Sequence, residues 1–163
     1  MAETLSVTDM LPNKFEPKRD YRFVLAIEGI DSFLISETKR PDAQMSATKI
    51  RYMNSYRKIN NGRVEWSDIS VTLHDPIAPS GAQQVMEWIR THYESVSGRA
   101  GYADFYKRDL QIKILDPIGT VVELWDIKGA QLTGAVFGGL GYENEGMLKI
   151  QLTLAIDNCV LQF

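Results

Sequence analysis

The sequence predicts a mainly β protein, an antiparallel β-sandwich or barrel with one α-helix. Leu148, Ile150, Leu152, Leu154 and Ile156 alternate strictly with other residues, most of them polar, the pattern of a strand with one buried and one wet face. A single segment, from Ser80 to about Val96, repeats its apolar residues at spacings of three and four, which is the helical period. The remaining apolar stretches are short, alternating and punctuated by turn residues, with few signals of parallel crossovers.

Taken in order, residues 1–19 are polar and carry Pro12 and Pro17. They predict an extended N-terminal arm on a single domain spanning residues 1–163. Tyr21, Phe23, Leu25 and Ile27 predict a strand, Gly29-Ile30-Asp31 a turn, and Phe33 with Ile35 a hairpin partner. Asn61-Gly62 is a turn signal, because both residues tolerate positive φ. Val64 and Trp66 share one parity, while Ile69, Val71 and Leu73 share the other, so a bulge is expected near Ser67-Asp68. Ser80-Gly81-Ala82-Gln83 matches a capping box, and Gly98 is the expected stop of the helix. On that helix Ala82, Val85, Met86, Ile89, Tyr93 and Val96 share a face. Leu110, Ile112 and Ile114 predict a strand, Asp116-Pro117-Ile118-Gly119 a turn, and Val121, Trp125 and Ile127 the returning strand. Residues 128–146 are glycine-rich and predict bends and a loop before the last strand. The core is therefore expected to include Val85 and Ile89 from the helix, with Leu148, Ile150, Leu152, Leu154 and Ile156 from that strand.

The length of 163 residues and 44% hydrophobic content suit one packed domain. No apolar run reaches the roughly 18 residues of a membrane span, so no membrane insertion is expected, and no basic-then-apolar leader opens the chain. Cys159, the one cysteine, excludes an internal disulfide and a multi-cysteine metal site, consistent with folding in a reducing cytoplasm. The sequence assigns no catalytic, cofactor or metal residue. His74 is followed by Asp75, yet Pro76 opens a loop there and Cys159 is far along the chain; a structural histidine and a small buried thiol are the simpler reading. Gly138-Gly139-Leu140-Gly141 has the composition of a phosphate loop, but no helical pattern follows it. Glu143 and Glu145 lie in a polar loop. An enzyme is not expected.

Charge is the unusual feature. The chain has net charge -3, yet between Lys39 and Arg63 seven basic residues face the single acid Asp42. The basic and aromatic residues of interest are Lys49, Arg51, Tyr52, Tyr56, Arg57, Lys58 and Arg63. Such a stretch could bind nucleic acid, cations meeting phosphates and tyrosines stacking on bases. It could also be a plain solvated hairpin. A third reading is a protein–protein arm whose acidic complement lies on the rest of the same chain, as rings or stacks of identical subunits require.

The block "YMNSYRKINNGRVEWSDISVTLHD" resembles tail-tube proteins of contractile-tailed bacteriophages. Met53-Asn54, Arg57-Lys58-Ile59-Asn60, Trp66-Ser67-Asp68 and Val71-Thr72-Leu73 stand in that family's order. A helix containing Trp88, then Lys128-Gly129, then Leu152-Thr153-Leu154-Ala155 with Asp157 continue the likeness over roughly residues 20–160. The glycine-rich segment 134–141 departs from the pattern. The resemblance implies a β-sandwich or barrel in which residues 40–64 form a long hairpin arm reaching neighbouring subunits. It implies hexameric rings that stack into a hollow tube inside a contractile sheath and conduct the genome during ejection. Implied partners are other copies of the chain, the tail sheath protein, baseplate and tail-terminator proteins, and DNA passing transiently through the lumen. The implied location is the virion tail, assembled in the host cytoplasm. A baseplate tube initiator or a type VI secretion ring protein is the alternative within the same fold family. A small nucleic-acid-binding β-barrel is the third option.

Overall fold

The computed structural model describes residues 6–10 and 14–163. Its described elements are α1 (Val7–Met10), β1 (Phe23–Ile27), a 3-10 turn (Ser32–Leu34), β2 (Ile35–Thr38), β3 (Ala43–Tyr52), β4 (Ser55–Trp66) and β5 (Ile69–His74). There follow α2 (Gly81–His92), α3 (Ala103–Tyr106), β6 (Arg108–Leu115), β7 (Val121–Val136), β8 (Lys149–Ala155) and β9 (Asn158–Leu161). The extended arm expected over residues 1–19 falls partly outside the described residues, at 1–5 and 11–13. Within it, Val7–Met10 forms one helical turn rather than extended chain.

The body is a mainly β, antiparallel sandwich. Six strands run in the order β1-β6-β7-β8-β5-β2, with β9 added to β7. The long strand β7 belongs to both layers. Its first half pairs with β6 and β9, and its second half pairs with β8. Strand β9 and the end of β8 follow β7 in one register across a bend at Ile156-Asp157, and the register then shifts between Leu132 and Gly134. Gly129 makes the opposing bend possible: it has φ +69°, and a Cβ there would fall 2.1 Å from Asp157 Oδ2, so any side chain would collide with that of Asp157 in the bend between β8 and β9.

Alternation decides what is inside. Leu25 and Ile27 (β1), Leu110 and Ile112 (β6) and Ile127 (β7) face Ile69, Val71 and Leu73 (β5) and Ile150, Leu152 and Leu154 (β8) in one hydrophobic cluster. Val85 and Trp88 of α2 join it fully buried, and Ile89 and Ile156 pack against it partly buried. Leu148, expected on the same face, precedes β8 and is 40% exposed. The strand begins at Lys149, which pairs with His74, the last residue of β5, so Leu148 has no opposite sheet over it.

Three further expectations are corrected. Strands β1 and β2 do not form a hairpin: β1 pairs with β6 and β2 with β5. The 3-10 turn Ser32–Leu34 carries the chain from one layer to the other, so the two strands end at opposite edges of the strand order. The helix stops at His92 instead of running to Val96. Tyr93 is extended (φ -156°, ψ 127°) and bridges to Ala100, leaving Tyr93 and Val96 exposed. Its start is as expected, with Ser80 accepting from the Gln83 N–H. The phase change between β4 and β5 is made by a break at Ser67-Asp68 rather than a bulge in a continuous strand.

The burial pattern separates two leucines four residues apart. Leu152→Ala is expected to lower unfolding stability by about 2–5 kcal/mol, the usual cost of emptying a fully buried site. Leu148→Ala should stay within about 0.5 kcal/mol, as exposed substitutions do. Urea unfolding of the unassembled chain, followed by tryptophan fluorescence, measures both; equal effects would contradict the strand boundary.

Candidate assembly arm and its anchor

Strands β3 and β4 pair only with each other, forming a separate two-stranded ribbon. Every residue of β3 is exposed, and every residue of β4 except Trp66. At about 3.4 Å per residue the ten-residue strand β3 extends for ~34 Å. The turn lies at Met53-Asn54, between the paired Tyr52 and Ser55, and Met53 takes φ 51°. Asn61-Gly62, the stronger turn signal, instead makes a bulge within β4. The register shifts between Met45 and Ala47 opposite it, and Gly62 takes φ 76°, the left-handed conformation a glycine bulge uses. Side chains hold the bulge: Asn61 donates to Ser46 Oγ at 2.9 Å, and the Gly62 N–H donates to Asn60 Oδ1 at 2.9 Å.

Directly paired residues share a face and neighbours along a strand alternate, so the register divides the seven basic and aromatic residues of the arm. Lys49 pairs with Lys58 and Arg51 with Tyr56 on one face; Ile50 pairs with Arg57 and Thr48 with Ile59 on the other, with Tyr52 beyond. One tip face is basic, and the other gathers the apolar and aromatic residues Ile50, Ile59 and Tyr52 around a single cation, Arg57. Arg63 stands apart at the bulge, beside Glu65. Two lysines directly opposite repel each other. Lys49 Nζ sits 4.3 Å above the Tyr56 ring, a cation–π contact that offsets part of this.

The arm is rooted where the sandwich keeps a buried charge. Glu123 of β7 is 5% exposed, the only buried charged residue among those described. Its carboxylate accepts hydrogen bonds from Lys18, from the Trp125 indole N–H, and from Arg40 at 3.4 Å. Lys18 belongs to the N-terminal segment, and Arg40 stands three residues before β3. Pro41 is buried and Trp66 packs on the core, completing the root. Burial alone would push the Glu123 carboxyl up, but the bonds from Lys18, Trp125 and Arg40 outweigh it and hold the group below its ordinary 4.5. The sequence carried a signal for this residue. Glu123 has the parity of Val121, Trp125 and Ile127, the inward face of its strand.

Between the edges of β1 and β2 the sandwich is open. A cleft of about 320 Å³ lies there, lined by Phe23, Thr38, Ile112 and Ile114 with Lys18 and Arg40 at its rim. Strands β1 and β2 do not pair, so the strand path does not close into a barrel.

The candidate chemistry is dispersed. His74 lies at the Lys149 end of β8, and Cys159 lies beyond the other end, opposite Ile127. The whole of β8, ~20 Å of strand, and the bend after it separate them, so the two do not meet. Burial pushes the Cys159 thiol up to about 11. His92 stacks on Tyr106 at 4.6 Å and its Nδ1 lies 3.0 Å from the Trp88 carbonyl oxygen. Among the described residues no group of three or more His, Cys, Asp or Glu side chains could hold a metal ion, and no helix is long and apolar enough to cross a membrane.

A carboxylate held below 4.5 stabilises the folded chain above that pH, and the contribution is lost as the pH falls toward the folded-state value. Glu123→Gln keeps an acceptor for Trp125 and removes the charge that holds Lys18 and Arg40. Its loss of stability below pH 4.5 should be shallower than that of the native chain, and trypsin should cut sooner at Lys18 and Lys39, on either side of the released contacts. An unchanged acid limb with unchanged cleavage would contradict the anchor.

No family model matches the chain and no curated protein matches it. Solved structures do. A chain of the sheath–tube complex of an extracellular contractile injection system (PVC) in the extended state has a TM-score of 0.70 at 15% identity, covering 98% of this chain and 99% of that one. The tube-terminating cap of the anti-feeding prophage gives 0.73 at 17% identity, covering 97% and 99%. Hcp1 from Flavobacterium johnsoniae gives 0.51 at 9% identity, covering 87% and 95%. The sandwich, its helix and its arm thus have the fold of contractile tail-tube proteins.

Proposed function

We propose that the chain is the repeating structural subunit of the inner tube of a contractile tail. Six copies close into a ring, rings stack into a hollow tube, and the tube conducts a genome out of the particle as an outer sheath contracts. The observation that carries this reading is the arm. A two-stranded ribbon exposed on both faces is at best marginally stable alone, whereas a ribbon laid on neighbouring copies is stabilised by them. The fold likeness to contractile-system chains supports the same reading. On it the partners are other copies, the tail sheath protein, and baseplate and terminator proteins; the chain acts without catalysis, as one domain, in a particle tail assembled in the host cytoplasm.

Ring closure has candidate edges. The layer β2-β5-β8-β7 ends on one side at β2 and on the other at the second half of β7, and joining such edges between copies removes them from solvent. The outward face of this layer carries Ser70, Thr72, Gln151 and Thr153. Lys149 stands on the same face at the strand end; as the channel wall the layer would offer a passing phosphate backbone mostly uncharged side chains, with Lys149 the one lysine of β8 to attract it. A tube-terminating ring is the second reading, favoured by the likeness to the anti-feeding prophage cap.

Arg57→Glu with Lys58→Glu should leave a folded, soluble chain, because both side chains are exposed, while abolishing assembly. High salt should restore part of it by screening the new repulsion. Sedimentation velocity and electron microscopy of the purified chain measure this. Hollow tubes from the native chain and none from the variant support the tube reading; isolated rings at every concentration support the terminating ring. Assembly unchanged by the substitutions, with loss of salt-sensitive DNA binding instead, would replace both with a nucleic-acid-binding arm.

A further inference from the structure

The acidic complement of the arm can be located. The twelve residues 137–148, which join β7 to β8, contain Glu143 and Glu145 and no basic residue. Neither carboxylate has a hydrogen-bond or ion-pair partner among the described residues. By contrast Asp109, Asp157 and Asp42 are paired with Lys128, Lys107 and Lys39, and Asp126 is held by Gln111 and Gln162. The same loop exposes Leu140 (86%), Tyr142 (fully) and Met147 (77%). Exposed apolar side chains gathered beside unpaired acids mark an interaction surface rather than a solvated loop. The arm tip is its counterpart, with a face of Lys49, Arg51 and Lys58 and a face on which Ile50, Ile59 and Tyr52 surround Arg57.

Topology then sets the direction of contact. The arm enters the sandwich at Ile69, which pairs with Leu154, and the loop enters it at Lys149, which pairs with His74. The two features therefore lie at opposite ends of β5 and β8, separated by ~20 Å of six-residue strand. The ribbon pairs with no other described element of its own chain. A surface at one end that complements a surface at the other generates a head-to-tail contact, which repeats from copy to copy.

We propose that the arm tip of one copy docks on the 137–148 loop of the next copy along the strand direction. Its cations meet Glu143 and Glu145, and Ile50, Ile59 and Tyr52 cover Leu140, Tyr142 and Met147. This rests on the assembly reading above and specifies the receiving surface within it. The pairing is directional, so each copy both gives an arm and receives one.

A charge exchange tests it. Lys49→Glu with Lys58→Glu, and separately Glu143→Lys with Glu145→Lys, should each leave the melting temperature unchanged, since all four side chains are exposed, and each should abolish tubes. The quadruple variant, with both surfaces reversed, should form tubes again. Tubes from the loop variant alone, or no tubes from the quadruple variant, would overturn the pairing. An arm variant that forms tubes normally would instead sink the assembly reading on which the pairing depends, so the two failures are distinguishable by electron microscopy of the same four samples.

Discussion

A β-ribbon that is wet on both faces is the constraint on which the rest of the structure turns. Strands β3 and β4 satisfy each other's backbone groups and almost nothing else, and Trp66 is the one residue of the ribbon that reaches the core. Among the described residues nothing covers Ile50, Ile59, Met45 or Val64, all of which are about half exposed or more. Two strands without a third layer lack the apolar burial that offsets the entropy of ordering them. The register sets Lys49 against Lys58, which works against the isolated ribbon and in favour of one laid on an anionic surface. On the proposed reading, the ribbon is completed by neighbouring copies.

The sandwich serves as the base that aims it. Its core is apolar and parity-driven, with one departure at Glu123. A buried carboxylate is costly unless compensated, and here the compensation comes from the two segments that leave the body, through Lys18 and Arg40. Both cations are more than half exposed, so the ion pairs contribute little stability of their own. Their effect is geometric. One carboxylate ties the N-terminal segment and the arm root to the same point of β7, beside the unpaired edges of β1 and β2. A core leucine there would hold neither segment.

Much of this was legible in the sequence because parity is a local signal. Residues 69–73, 110–114 and 150–154 alternate, and their apolar positions are buried; Ser80 caps the helix that its spacing announces. What the sequence hid was non-local or conformationally ambiguous. Consecutive strands β1 and β2 read as a hairpin, and only the competing partners β6 and β5 separate them. Asn61-Gly62 offers positive φ, which serves a bulge as well as a turn, so the true turn at Met53-Asn54 was overlooked. The helical period outlasts the helix because Tyr93 and Val96 keep the spacing with nothing to pack on. For the arm, composition revealed a basic patch, but its division into a basic face and a face of apolar residues around Arg57 required the register. Glu123 was visible as a polar residue at an inward position, without any sign of which cations would reach it.

Hydrogen–deuterium exchange of the ribbon amides, residues 43–66, compared between the dissociated chain and its assemblies, tests the central claim most directly. If the ribbon is stabilised by neighbouring copies, those amides exchange far faster in the dissociated chain than the amides of β5, β6 and β8, and become protected on assembly. Ribbon amides as protected in the dissociated chain as those of the sandwich, with no change on assembly, would show that the ribbon is self-sufficient and contradict the account.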